Sequence, residues 1–186
     1  MTDPVHASYR RHVAQLVLTA IREPGTSFPG GADDAEIADL QRAVGRPLPH
    51  ELVEWLRVCK GDAIGPGGLY GVRHDNRRAD VASLLERFPG WRQHGWMPIA
   101  GDGNGDHYVL ITDGQLAGHV AFIDQADYDA LDYIVASNLW TFLRSLLLAD
   151  AGDRRWPFDR DHVLALDPAM ARVPANLRPW DGGPRR

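Results

Sequence analysis

The segment that most constrains this chain is Trp96-Met-Pro-Ile-Ala-Gly-Asp-Gly-Asn-Gly-Asp-His-Tyr-Val-Leu-Ile-Thr112. Two short apolar runs flank Asp102-Gly-Asn-Gly-Asp106, where every residue is Gly, Asp or Asn. Glycine takes positive φ without a Cβ clash, and Asx side chains bond nearby backbone amides, so the segment reads as strand, tight turn, strand. A further Gly turn leads to Val120–Ile123. The strands Met97–Ala100, Tyr108–Thr112 and Val120–Ile123 together predict an antiparallel meander.

Helices surround it. Tyr9, Val13, Leu16, Val17, Ala20 and Ile21 repeat at helical spacing, which predicts a first helix from Pro4 to Arg22, stopped by Pro24-Gly25. Gln15 and Thr19 interrupt the apolar run, and Arg22-Glu23-Pro24 stands where a leader peptide carries small residues, so an amphipathic helix is expected there. Thr26 to Gly31 is a connector. A second helix, capped by Asp33 or Asp34, places Ile37, Leu40 and Val44 on one face and ends at Gly45. Pro47 and Pro49 hold an extended turn. A third helix, His50 to Cys59, buries Leu52, Val53 and Leu56, with Trp55 as a further candidate.

Leu69–Val72 reads as a short strand. Asp80 caps a helix through Arg87 whose apolar face is Val81, Leu84, Leu85 and Phe88. Ser137 caps another carrying Leu139, Trp140, Phe142, Leu143, Leu146 and Leu147. A short helix is expected near Arg160–Leu166, and an extended, partly mobile tail from Pro174 to Arg186. The fold class expected is α+β, a central, mostly antiparallel sheet flanked by N-terminal, crossover and C-terminal helices, in one domain spanning residues 1–186.

Six tryptophans and a hydrophobic fraction of 44% in 186 residues fit a folded chain with a real core. The formal net charge of −5 disfavours nucleic-acid binding through phosphate neutralisation. A lone cysteine, Cys59, cannot form an internal disulfide and suits a reducing cytoplasm. No apolar run approaches the length that spans a bilayer, so a soluble, cytoplasmic protein without membrane partners is expected.

Few residues suggest catalysis. Asp102-Gly-Asn-Gly-Asp106 resembles the start of a calcium loop, but its sixth position is His107 where glycine is needed, and its twelfth is Asp113 where a bidentate Glu belongs. The alternative is a hairpin turn. It also lacks the pattern and following helix of a phosphate loop. The eight histidines show no i, i+4 pair for a helical metal site. His107 and His119 would face each other across the hairpin, where with Asp102 and Asp106 they offer a metal-dependent or acid–base alternative. Ser83, Ser137, Ser145 and Cys59 are the nucleophile candidates, and none sits in a nucleophile elbow. No catalytic residue, cofactor or metal ligand is assigned, and a non-enzymatic protein is expected.

Charge distribution says more. No Lys or Arg occurs between Arg92 and Arg144, whereas Asp102, Asp106, Asp113, Asp124, Asp127, Asp129 and Asp132 do. Seven formal negative charges therefore lie in this stretch, and with a chain total of −5 the remainder stands at +2. Gathered at one edge of the meander, such carboxylates would steer a basic partner; the competing reading is that they merely populate turns. The candidate partner-binding residues are Asp102, Asn104, Asp106, Asp124, Asp127, Asp129 and Asp132, with Tyr128 as an aromatic anchor beside Tyr108, Tyr133 and Trp96.

Gly45-x-Pro-Leu-Pro-x-x-Leu-x-x-Trp-Leu, then Gly61 and Gly67-Gly68, then Pro98-Ile-Ala-Gly-Asp-Gly-Asn-Gly-Asp-His-Tyr, then Gly118-x-Val-x-Phe-Ile-Asp124 and a Leu-rich helix follow in this order. Their order and spacing resemble the SUKH superfamily, which includes the fungal Smi/Knr cell-wall regulators and many bacterial toxin-immunity proteins. The similarity covers about residues 33–148, with an N-terminal helix and linker at 1–31 and a C-terminal extension at 150–186. Pro49-His50 and Lys60-Gly61 depart from the usual turn residues. The resemblance implies the α+β fold above and an immunity protein that binds and neutralises a cognate toxin, often a nuclease or deaminase. It carries over no catalytic residue. An acidic surface suits a basic toxin cleft. The alternative within the family is a regulatory scaffold for cellular proteins.

Overall fold

A computed structural model describes residues 4–181, with side chains from Ser8 onward. Seven α-helices and four strands are described: α1 Pro4–Thr19, α2 Asp34–Val44, α3 His50–Val58, α4 Val81–Arg87, α5 Pro89–His94, β1 Trp96–Gly101, β2 His107–Ile111, β3 Val120–Ile123, β4 Tyr133–Ala136, α6 Leu139–Asp150 and α7 Arg160–Leu166. The fold is α+β. The strands form one antiparallel meander in the order β1-β2-β3-β4.

Register decides what meets what. His107 pairs with Gly101 on one side and Ile123 on the other. The β1–β2 and β3–β4 loops therefore leave the same end of the sheet, and the β2–β3 turn leaves the opposite end. Every residue of β1 and β2 is buried, so both faces of the sheet are covered. Because side chains alternate along a strand, His107, Val109 and Ile111 share one face with Ala121 and Ile123. That face packs against α4 and α5, where Trp91 lies 5.1 Å from the His107 ring. Tyr108, Leu110 and Phe122 point to the other face. There Tyr108 meets Phe142 of α6 at 5.0 Å, and Trp156 of the C-terminal segment donates from Nε1 to Val135 O at 3.2 Å.

Helix boundaries follow local chemistry. Asp33 and Glu36 form a reciprocal capping box on α2, and Gly45 closes it in the left-handed region. Asp80 caps α4 through Ser83 N. The α1 helix stops at Thr19, short of the expected Arg22, whose guanidinium turns back to Val17 O at 2.6 Å and to buried Asp62 at 2.7 Å. Breaking a buried pair of this kind strands a charge and is costly.

Several expectations are revised. Asn138, not Ser137, caps α6 by accepting from Thr141 N at 2.9 Å, while Ser137 donates from N and Oγ to the Asp167 carboxylate. Trp55 is wholly buried and Val53 only half-buried. Leu69–Val72 makes isolated bridges to Asp62, Ala100 and Asp80 instead of a strand. Its bonds to β1 are Tyr70 N to Ile99 O and Gly101 N to Gly68 O, beside a bulge between Pro98 and Ala100. The β4 strand and α5 were not expected. The expected extended tail instead carries a 3-10 turn at Ala175–Leu177 and a half-buried Trp180, and its last part, residues 182–186, lies outside the described residues. No helix among the described residues is long and apolar enough to cross a membrane.

Candidate functional site

Three loops interlock at the end of the sheet where β1 meets β2. In the first, Asp102 Oδ1 accepts from Asn104 N at 2.7 Å and Asp106 N at 3.0 Å, while Asn104 Nδ2 donates to Asp102 Oδ2. The β3–β4 loop is bonded onto it. Gln125 donates from N to Asp106 Oδ1 at 2.9 Å and from Nε2 to Asn104 O at 3.2 Å, and Tyr128 OH donates to Gly105 O at 3.2 Å. Within that loop Asp124 accepts from Ala126 N and Asp127 from Asp129 N. The third loop, residues 65–68, presses backbone against backbone. A Cβ at Gly67 would stand 2.3 Å from Gly103 N, so only glycine fits.

The register thus brings together Asp102, Asn104, Asp106, Asp124, Asp127, Asp129 and Tyr128 from two loops far apart in sequence. The remaining candidate, Asp132, lies at the foot of β4, where its amide donates to Phe122 O. Asp113 stands at the opposite end, paired with Arg46. Of the other aromatic candidates, Tyr108 and Tyr133 belong to the ring cluster on the far face, and Trp96 is buried and stacked on His94.

What these carboxylates touch matters electrostatically. Among the described residues, Asp102, Asp106, Asp124, Asp127 and Asp129 form no ion pair, whereas Asp34, Glu36, Asp39, Glu54, Asp62, Asp75, Glu86 and Asp113 each meet a Lys or Arg. The carboxylates of Asp102, Asp106, Asp124 and Asp127 accept from neutral amides, which cancel no charge. Asp106 registers the crowding. Burial raises its pKa and outweighs the stabilising Gln125 amide, and repulsion from Asp102 and Asp124 raises it further.

Beneath the loops sits His107, expected from the sequence to face His119 across the hairpin. It is instead buried, with Nδ1 2.9 Å from Tyr70 Oη and its ring among Phe88, Trp91 and Tyr128. Burial pushes its pKa down to about 4, and nearby Arg87 adds to the effect. His119 is at the other end of the sheet, where Ile111 N donates to its carbonyl. The set Asp102, Asp106, His107 and His119 is therefore not assembled, and no group of three or more His, Cys, Asp or Glu among the described residues is placed to hold a metal ion. Burial pushes the Cys59 thiol up to about 12, the reverse of an activated nucleophile. Ser83 Oγ donates to Asp80, and Ser145 is buried within α6.

Sequence reading missed Arg87 and Gln125. Arg87 precedes the cation-free stretch, yet as the last residue of α4 it lines one groove with Tyr128 and Asp129, its guanidinium 5.2 Å over the Phe88 ring. The only signal was Pro89, which starts a helix as readily as it ends one.

Residues 31–145 match the model of the SMI1 / KNR4 family (SUKH-1), which is more than half of the chain. No curated protein matches the chain.

Proposed function

The chain belongs to the SMI1 / KNR4 family (SUKH-1), and from that premise we propose that it is a non-enzymatic immunity protein, acting in the cytoplasm, that neutralises a cognate basic toxin. The partner-binding face is the acidic end of the sheet, formed by Asp102, Asn104, Asp106, Asp124, Asp127, Asp129 and Tyr128. One observation carries the reading: among the described residues none of these five carboxylates meets a cation, four of them accepting from amides instead, while Asp34, Glu36, Asp39, Glu54, Asp62, Asp75, Glu86 and Asp113 each meet a Lys or Arg. If aspartates merely served the turns, nothing would keep cations away from them. A preorganised negative surface raises the encounter rate with a basic protein and loses little entropy on binding. A nuclease has to present a basic cleft to its substrate, and carboxylates can occlude it.

The test is capture of proteins encoded beside this chain's own gene, using the full chain as bait, at low and high salt. One basic toxin-like protein, released as salt rises, supports the proposal. Salt-indifferent capture moves the interface to an apolar surface. Recovery of several housekeeping proteins and no toxin favours a regulatory scaffold.

A further inference from the structure

We infer that the groove between α5 and the β3–β4 loop is a subsite for an arginine side chain of the basic partner; this rests on the acidic end being the partner-binding face. The groove encloses about 530 Å3 and is lined by Arg87, Phe88, Gly90, Gln93, Tyr128 and Asp129 among others. Phe88 and Tyr128 form its aromatic wall, with ring centroids 4.7 Å apart and both rings half-buried. Ring faces attract cations, and a planar, weakly hydrated guanidinium stacks on them better than an ammonium does.

The second element is a carboxylate. Asp129 lies directly over Gly90, where a Cβ would come within 2.4 Å of its Oδ1. Among the described residues this carboxylate makes no hydrogen bond or ion pair, and only the Asp129 amide is bonded, to Asp127. The Phe88 ring already has its contacts, with Trp91 stacked on it at 4.3 Å and the Arg87 guanidinium 5.2 Å over it without pairing to Asp129. The unmet carboxylate and the ring of Tyr128 remain for a guanidinium arriving from outside. Arg87 lines the same groove as a competing cation, so it sets how tightly that guanidinium is held.

The experiment titrates the full 15N-labelled chain with N-acetyl-arginine amide and, separately, N-acetyl-lysine amide at one ionic strength. The expected result is amide shifts concentrated at residues 88–94 and 127–129, with arginine bound about threefold more tightly than lysine. Asp129→Asn abolishes the arginine preference, Tyr128→Phe retains it, and Arg87→Ala strengthens arginine binding. Equal affinity for the two probes, or shifts spread evenly over residues 102–106, overturns the subsite. Salt-sensitive capture of a basic toxin by a chain without the arginine preference also overturns the subsite and leaves the proposed function standing. The preference in a chain that captures no basic protein overturns the proposed function and leaves the subsite.

Discussion

Asp113 and Asp106 stand at opposite ends of one strand and differ in what their carboxylates touch. Asp113, at the β2–β3 turn, meets the Arg46 guanidinium. Asp106, at the β1–β2 loop, accepts from the Gln125 amide with Asp102 and Asp124 close by. Both are turn aspartates with satisfied side chains. Only the second leaves a field for a partner to feel, because an amide satisfies a lone pair and cancels no charge. Counting aspartates in turns is therefore a poor guide to a surface, and the partner of each carboxylate is a good one.

The largest effect expected is on the acidic end's construction. Gly67→Ala forces a methyl into the Gly101–Gly103 backbone and should cost about 3 kcal/mol, read as a lowered melting temperature. A melting temperature within about a degree of the parent would mean that the loops are not interlocked as described.

Acid should act on the same end through His107. Its pKa is about 4 in the folded chain against an ordinary 6.5, so the unfolded chain takes up the proton first. Stability from the buried neutral ring is complete above pH 6.5 and is lost as pH falls through about 4, a change of ~3 kcal/mol. Denaturant melts across this range should steepen for the parent and flatten for His107→Gln, and parallel curves for the two would show that the ring is not desolvated.

Charge removal should separate the ends by function. The double variant Asp127→Asn with Asp129→Asn should weaken partner capture at low salt about tenfold, with the melting temperature unchanged. The single variant Asp113→Asn should leave capture intact. Equal losses from both would erase the distinction between the ends. The smallest effect is on Arg46→Ala, a partly exposed pair whose loss should cost about 0.5 kcal/mol and free Asp113 as a new negative group.

Much of the fold was legible because hydrophobic period and caps agreed, as in Ile37, Leu40 and Val44 between Asp33 and Gly45. Tyr133–Ala136 was not, since four residues after an Asp-rich loop carry too short an alternation to mark a strand. Pro89-Gly90 disguised α5 as a helix stop. Ser137 and Asn138 are both good caps, and only the Asp167 carboxylate, 30 residues away, decided between them. At the candidate site, the composition of the two acidic loops could be read directly. Their meeting depended on register, and the Tyr128–Gly105 and Tyr70–His107 contacts depended on packing that no local pattern encodes.

The amide bonds accepted by Asp102, Asp106, Asp124 and Asp127 give each side chain two jobs, shaping its loop and presenting charge. At Asp106, Asp124 and Asp127, where one oxygen accepts, asparagine keeps the acceptor and drops the charge, whereas lysine loses both; Asp102 accepts through both oxygens and is the exception. The surface can therefore be retuned toward a less basic partner in single steps that leave the loops standing. Reversal of its sign would require the loops to be rebuilt.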